Sequence, residues 1–232
     1  SAVPTAPTLT ATDNCGTATV TYNQVINQGV CEGNYTIVRT WTATDLCNNQ
    51  TTHTQTITVQ DTTHPTFNEA LPADLTIECS AVPTAPTLTA TDNCGLANVN
   101  YFESSTSGSC VGAYTLTRTW IAIDPCGNTT IHTQTITVQD TTDPTFVETL
   151  PANITVECSV IPQPEVLTAI DNCGTAAVAF TESTTPGNCT GNYTITRTWT
   201  ATDLCNNQTV YTQTVTVQDT TDPTFVGDLP AN

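Results

Sequence analysis

The sequence contains no lysine and no methionine, and three arginines and three histidines are its only basic side chains. With 21 acidic residues, its formal net charge is −18. Nucleic-acid binding needs a basic surface, so this class of function is excluded, and adhesion to an anionic membrane is excluded for the same reason. The absence of lysine also excludes Schiff-base catalysis and lysine–asparagine cross-links. No signal peptide and no membrane-spanning hydrophobic run is present, as expected of a mature fragment.

The cysteines recur with a period of 79 residues. They form four series: Cys15, Cys94 and Cys173; Cys31, Cys110 and Cys189; Cys47, Cys126 and Cys205; Cys79 and Cys158. The segments between them also match, and Ser1–Gly16 recurs unchanged at Ser80–Gly95. Internal repetition of this kind indicates an array of small domains.

The period predicts three repeats and part of a fourth. Residues 1–63 form a repeat that lacks its first strand, 64–142 and 143–221 are full repeats, and 222–232 is the first strand of the next. We favour a window on a longer array. The alternative is that the orphan strand completes the first repeat of another identical subunit by strand addition.

Threonine alternates with apolar residues in short runs punctuated by proline and glycine, which predicts an all-β fold. In the second repeat, strands are expected at 73–79, 87–93, 97–103, 114–124 and 130–140. The equivalent of the fourth strand in the first repeat places Ile37, Arg39 and Trp41 on one face, the expected core face. Such patterning favours tandem immunoglobulin-like sandwiches.

Four cysteines per repeat, with nearest neighbours 15 or 16 residues apart, favour disulfides and an oxidising compartment over metal–thiolate sites. If successive strands run antiparallel, the first and third strands end at one pole of the sandwich, and the second and fourth at the other. Pairing within each pole predicts the bonds Cys15–Cys47, Cys79–Cys110, Cys94–Cys126, Cys158–Cys189 and Cys173–Cys205. Cys31 then needs a partner outside the chain, just before Ser1.

Aspartates in the linkers and turns are the candidate metal ligands. Strand tracing brings them together where consecutive repeats meet, and Ca²⁺ takes about 6–8 oxygen ligands. The predicted ligands are Asp61, Asp92, Asp124, Asp140, Asp143, Asp171 and Asp203. His64 replaces Asp143 in the first linker, which makes that joint the weaker candidate. The alternative is that these aspartates cap turns.

No catalytic arrangement of side chains stands out, and we expect no enzymatic activity. Arg39, Arg118 and Arg197 are interpreted as structural arginines, with recognition of an anionic ligand as the alternative. His53 and His132 align with Tyr211, so a role specific to histidine is not required.

The motifs LPADLTIEC, TATDNCG, RTWTATDLCNN and QTITVQDTTDPTF resemble those of hyalin-repeat (HYR) modules, especially the cysteine-rich ones of giant Bacteroidota surface adhesins. The resemblance implies an extracellular, cell-surface immunoglobulin-like module that forms a stalk or filament with neighbouring repeats or identical subunits. Two alternatives remain: a module that binds glycans or cells through the variable segment at 103–112, and a spacer of a secreted hydrolase.

Overall fold

The computed structural model describes residues 2–227, and the described residues are all-β, as predicted. Of the three repeats that the sequence predicts, the first contains β1 (Thr12–Asp13), β2 (Gly16–Thr17), β3 (Thr19–Gln28), β4 (Tyr35–Thr44) and β5 (Gln50–Val59). The second contains β6 (Thr66–Phe67), β7 (Leu75–Glu78), β8 (Ala90–Asp92), β9 (Gly95–Ser107), β10 (Tyr114–Ile123) and β11 (Thr129–Gln139). The third contains β12 (Thr145–Phe146), β13 (Ile154–Glu157), β14 (Ala169–Ile170), β15 (Ala177–Pro186), β16 (Tyr193–Thr202) and β17 (Gln208–Gln218).

Five predicted strands of the second repeat are found as β7 to β11, and the short β6 was not predicted. The strand orders of the main sheets are β3-β4-β5, β6-β8-β9-β10-β11-β7 and β13-β17-β16-β15. The last strand of each full repeat pairs in parallel with the second strand of that repeat, β11 with β7 and β17 with β13. Part of the predicted strand at 222–232 lies outside the described residues, and 222–227 form no strand.

The buried face of the long central strands is the one that the alternation predicts. Ile37, Arg39 and Trp41 of β4 are buried, while the residues between them are only partly covered. Each tryptophan packs between rings on the two flanking strands, an arrangement that stabilises neighbouring strands. The ring centroids lie 5.1–6.1 Å apart in the sets Tyr22–Trp41–His53, Tyr101–Trp120–His132 and Phe180–Trp199–Tyr211.

The chain divides into two compact units. One comprises residues 1–73, 85–103 and 117–134, and the other comprises 74–84, 104–116 and 135–232. The second repeat contributes to both, because β9, β10 and β11 each have residues in both units. The repeat boundaries at 64 and 143 remain a prediction. The described residues contain no helix with the length and hydrophobicity that a bilayer crossing would need.

Candidate functional site

Disulfides join consecutive repeats. The bonds are Cys31–Cys126, Cys79–Cys173 and Cys110–Cys205, with Cα–Cα distances of 5.2, 5.8 and 5.1 Å. These distances lie in the range of about 4.4–6.8 Å that a disulfide spans. The bonded cysteines are 94 or 95 residues apart, more than the sequence period of 79, so each bond connects one predicted repeat to the next.

The predicted pairing is therefore wrong. Three predicted bonds are excluded because at least one cysteine of each pair is bonded elsewhere: Cys79–Cys110, Cys94–Cys126 and Cys173–Cys205. The unpaired thiols are Cys15, Cys47, Cys94, Cys158 and Cys189, so the predicted bonds Cys15–Cys47 and Cys158–Cys189 are not formed either. Cys31 has its partner in the chain, Cys126, and not before Ser1.

The error lies in the partner and not in the strand directions. In the third repeat β15 and β17 both run antiparallel to β16, and β13 runs parallel to β17, as the tracing assumed. The register pairs Ala177 with Thr202, so the turns that carry Cys173 and Cys205 lie at the same pole. These two cysteines bond the far pole of the second repeat, at Cys79 and Cys110, and not each other.

Aspartate side chains hold the turns that present these cysteines. Asp171 Oδ1 accepts a hydrogen bond of 2.9 Å from the Cys173 N–H. Asp203 Oδ1 accepts bonds from the N–H groups of Cys205 (2.7 Å) and Asn207 (2.8 Å). Capping of this kind is the alternative that the sequence left open. Asn206, which lies between Cys205 and Asn207, has a φ of 71°, in the left-handed region that asparagine tolerates well.

We call the meeting of the first and second repeats the first joint. Asp61 of the linker, only 7% exposed, is close enough to Asp92 and Cys94 for one ligand atom of each to lie within 4.8 Å of the others. Asp61 Oδ2 and Asp92 Oδ1 are buried without a hydrogen-bond partner. Burial and the carboxylates of Asp61, Asp92 and Glu32 raise the pKa of the Cys94 thiol. Two buried carboxylate oxygens that accept no hydrogen bond are suited to binding a cation.

The second joint, between the second and third repeats, gathers three carboxylates. One oxygen each of Asp140, Asp171 and Asp203 lies within 4.8 Å of the others, and Asp171 Oδ2 is buried without a partner. Burial raises the pKa of Asp140, as do the nearby carboxylates of Asp171, Asp203 and Glu78, against the opposing effect of a hydrogen bond from Thr142 N–H. This donor set of hard oxygens suits Ca²⁺.

The predicted ligand Asp143 binds elsewhere, and so does His64, which replaces it in the first linker. Asp143 is exposed, and its Oδ1 accepts a 3.2 Å hydrogen bond from the Gln208 N–H. His64, at the equivalent position, has its Nδ1 2.7 Å from the Thr129 carbonyl oxygen. Neither residue belongs to an acidic cluster of the described residues, so the exchange of Asp143 for His64 does not alter either cluster. The first joint differs instead in having a thiol in place of a third carboxylate.

Asp124 is tied to the first linker indirectly. Both of its oxygens accept hydrogen bonds from Asn128, at 2.8 Å from the N–H and 2.7 Å from the side chain. Burial opposes ionisation of Asp124, but bonds from Asn128 and from the Cys126 N–H outweigh it and lower its pKa. Asn128 Nδ2 also lies 3.3 Å from the Asp61 carbonyl oxygen, and Asn34 Oδ1 accepts a 2.6 Å bond from the Asp61 N–H.

Sequence reasoning missed these linker-binding asparagines. The signal was available, because Asn128 has Asn207 at the equivalent position of the third repeat, where it makes the same bond to the Asp140 carbonyl oxygen at 3.2 Å. Glu78 was missed as well. Its carboxylate accepts hydrogen bonds from the hydroxyl and N–H groups of Thr141 in the linker.

The arginines have the structural role that was predicted. Arg197 is buried, its Nε lies 2.9 Å from Glu182 Oε2, and its Nη2 donates to the Pro162 carbonyl oxygen at 2.6 Å. Arg118 pairs with Glu103 at the same distance. In the first repeat Gln24 replaces the glutamate and accepts a 3.2 Å bond from Arg39.

The histidines are also replaceable. His132 Nε2 lies 2.9 Å from the Pro72 carbonyl oxygen, and the Tyr211 hydroxyl donates to the equivalent carbonyl of Pro151 at 2.6 Å. A histidine and a tyrosine thus fill the same place beside the tryptophan, so the position requires a hydrogen-bonding ring and not the acid–base chemistry of imidazole.

Comparisons with solved structures return ectodomain fragments of cadherins. Drosophila N-cadherin EC1-4 is 13% identical, with 82% of this chain and 58% of that chain covered and a TM-score of 0.29. The human desmocollin-1 ectodomain is 12% identical, with 92% and 57% covered and a TM-score of 0.31. The chain thus spans less than two thirds of either protein. No curated protein matches the chain.

The family comparison is more informative. The family described as "HYR-like domain with 4 cysteines" matches residues 1–59 and 146–217, which together make up more than half of the chain. The four cysteine series and the motifs around them carry the resemblance that the sequence indicated. The chain belongs to the family of HYR-like domains with four cysteines.

Proposed function

We propose that the chain is a structural repeat segment of a secreted cell-surface adhesin, stalk or filament, of the kind found in giant Bacteroidota adhesins. In this role the repeats form a stiff extended rod, and no catalysis is required. The observation that carries the proposal is that disulfides join consecutive repeats, at Cys31–Cys126, Cys79–Cys173 and Cys110–Cys205. Bonds placed between domains restrict motion at the linkers, and disulfides persist in an extracellular, oxidising environment.

The alternative role, binding of glycans or cells through residues 103–112, has less support. The first part of this segment belongs to β9, which ends at Ser107, and Cys110 is bonded to Cys205 in the second joint. A loop tied into a joint is suited to holding consecutive repeats together. Free binding loops are usually those that vary without disturbing the scaffold.

We further propose that Ca²⁺ binds at the joints, with Asp140, Asp171 and Asp203 as the principal ligands. Like charges buried this close destabilise the folded state unless protons or a cation offset them. The raised pKa of Asp140 reflects that cost. A divalent cation removes it, and water and carbonyl oxygens complete the coordination shell. At the first joint, Asp61 and Asp92 offer two carboxylates, and the weaker affinity is expected there.

The test is thermal unfolding and isothermal titration of the whole chain with Ca²⁺ after chelator treatment. Binding at a concentration 100 times the Kd would add about 2.7 kcal/mol to the free energy of unfolding. Asp140→Asn should abolish the main heat of binding and the rise in Tm. The matched control is Asp74→Asn, because Asp74 only caps the Thr135 N–H at 2.7 Å, and Asn153 has this role in the third repeat at 2.8 Å.

Two results would contradict the calcium proposal: no heat with the unmodified chain, or equal binding by the Asp140→Asn variant and the unmodified chain. The structural role is tested separately by small-angle scattering of the chain with its disulfides intact. A rod predicts an elongated particle, and a compact particle would contradict it. The calcium proposal can therefore be wrong while the rod proposal holds, and the rod proposal can be wrong while calcium binds.

A further inference from the structure

We propose that the five unpaired cysteines are half-sites of the same inter-repeat disulfides, and that each bonds a cysteine of an adjoining copy of the repeat. The inference rests on the proposed structural role, and it adds a partner and a register. The partner is a second copy of this chain, bound head to tail, so experiments on the chain alone can test the bonds. Its bonds would be Cys158–Cys15 and Cys189–Cys47, with the second member of each pair in the second copy.

The register follows from the bonds already formed. Cys31–Cys126 and Cys110–Cys205 have the same separation of 95 residues and connect the same two cysteine series. Cys189 follows Cys31 and Cys110 in their series, so its partner should belong to the series that begins with Cys47.

The other bond type obeys the same rule. Cys79–Cys173 has a separation of 94 residues. The next member after Cys79 is Cys158, whose partner belongs to the series that begins with Cys15. In this register Cys94 needs a cysteine immediately before Ser1. The rule therefore accounts for every unpaired cysteine in the chain.

The half-site in the first repeat already has the geometry of a bonded one. The Cys15 N–H donates to Asp13 Oδ2 at 2.8 Å, as the N–H of the bonded Cys173 does to Asp171. The Cys47 N–H donates to Asp45 Oδ1 at 2.8 Å, the same distance as from the bonded Cys126 to Asp124. Cys15 and Cys47 are exposed and line one pocket, so a single docking repeat would reach both thiols.

The half-site in the third repeat is preformed in the same way. The turn around Cys189 is closed by hydrogen bonds of 2.9 Å from Gly187 N–H to the Asn192 carbonyl and 3.0 Å from Asn192 N–H to the Cys189 carbonyl. Bonds of 2.9 and 3.2 Å close the equivalent turn around the bonded Cys110. Glu157, next to Cys158, accepts hydrogen bonds from Thr220. Glu78, next to the bonded Cys79, accepts the equivalent bonds from Thr141. Cys158 and Cys189 are exposed.

The chemistry is oxidation of paired thiols. In each bond two cysteine thiols lose two protons and two electrons to form one disulfide. With oxidised glutathione as the oxidant, one molecule is reduced to two molecules of glutathione, with a mixed disulfide as the intermediate. Two copies joined head to tail form two bonds and consume two molecules of oxidised glutathione.

The test uses two variants of the whole chain, each with one half-site removed. Cys15→Ser/Cys47→Ser retains only the half-site of the third repeat, and Cys158→Ser/Cys189→Ser retains only that of the first. Each variant alone, in a buffer of oxidised and reduced glutathione, should remain monomeric on a non-reducing gel. An equal mixture should give a covalent heterodimer, and the unmodified chain a ladder of longer oligomers. Cys94→Ser is the matched control and should leave the ladder unchanged.

Peptide mapping should find Cys158 linked to Cys15 and Cys189 linked to Cys47. Pepsin at low pH suits the digestion, because the chain has only three arginines for trypsin and thiol exchange is slow in acid. The proposal is overturned if the mixture stays monomeric, if either variant dimerises alone, or if Cys15 and Cys47 bond each other within one chain. None of these outcomes depends on calcium or on the shape of a single chain, so this test is independent of the previous ones.

Discussion

The bond between Cys31 and Cys126 offers a direct test of how the repeats are joined. Of the three bonds, it is the only one at the first joint, and it closes a loop of 95 residues. In the chain-entropy view, a loop of about 100 residues contributes up to about 4.7 kcal/mol to the free energy of unfolding, and measured values are typically about 2–4 kcal/mol. Removing it with Cys31→Ser/Cys126→Ser should therefore destabilise the first compact unit by about 3 kcal/mol.

The assay is urea unfolding under non-reducing conditions, followed by tryptophan fluorescence. With an m-value of about 2 kcal/mol per molar urea, the midpoint of the affected transition should fall by about 1.5 M. The matched control is Cys47→Ser, which changes the same turn one repeat earlier, where the thiol is exposed and unpaired. That variant should unfold within about 0.5 kcal/mol of the unmodified chain, as surface substitutions usually do.

Single substitutions separate this pairing from the one that strand tracing within a repeat predicts. If Cys126 bonds Cys31, then Cys31→Ser destabilises the unit and Cys94→Ser does not. If Cys126 bonds Cys94, the two results are reversed. An unchanged midpoint in Cys31→Ser, together with a large loss in Cys94→Ser, would refute the inter-repeat bond.

Two further predictions concern the buried arginines and the response to acid. Glu182→Gln should lower the free energy of unfolding by less than about 1 kcal/mol, because Gln24 accepts the same arginine bond in the first repeat. Glu182→Ala should lower it by about 1.5–3 kcal/mol, because a charged donor of Arg197 then loses its partner. Urea unfolding measures both values, and equal losses in the two variants would contradict the reasoning. The Tyr101 hydroxyl and Arg118 hold the pKa of Glu103 below its ordinary value, and bonds from Thr89 and Thr168 do the same for Glu69 and Glu148. A carboxyl group whose pKa is lowered in the folded state stabilises the fold at pH values above its unfolded pKa of about 4.3. The stabilisation should therefore be constant near neutral pH and disappear as the pH falls through the folded-state pKa values. A Tm that does not fall between about pH 5 and pH 2 would contradict this expectation.

Much of the fold could be predicted because it depends on local alternation. The face that carries Ile37, Arg39 and Trp41 is buried, since every second residue of a strand shares one side of the sheet. Contacts around the linkers were predicted less well. Asp61 and Asp92 meet as expected, but Asp143 caps a strand, because its position next to Pro144 places it beside the first N–H of β17 and not at the cluster. Distances of this kind depend on the path of the linker, which alternation does not specify.

The cysteine pairing was predicted wrongly for a different physical reason. Within one repeat, Cys110 and Cys126 lie at opposite ends of a strand of 10 residues, too far apart for a bond. This distance limit does not apply between repeats, because the far pole of one repeat meets the near pole of the next. Cysteine series that cannot pair within a repeat are then the ones that come together, as Cys110 does with Cys205. In an array, the geometric test must therefore be applied to consecutive repeats before pairs are assigned within one.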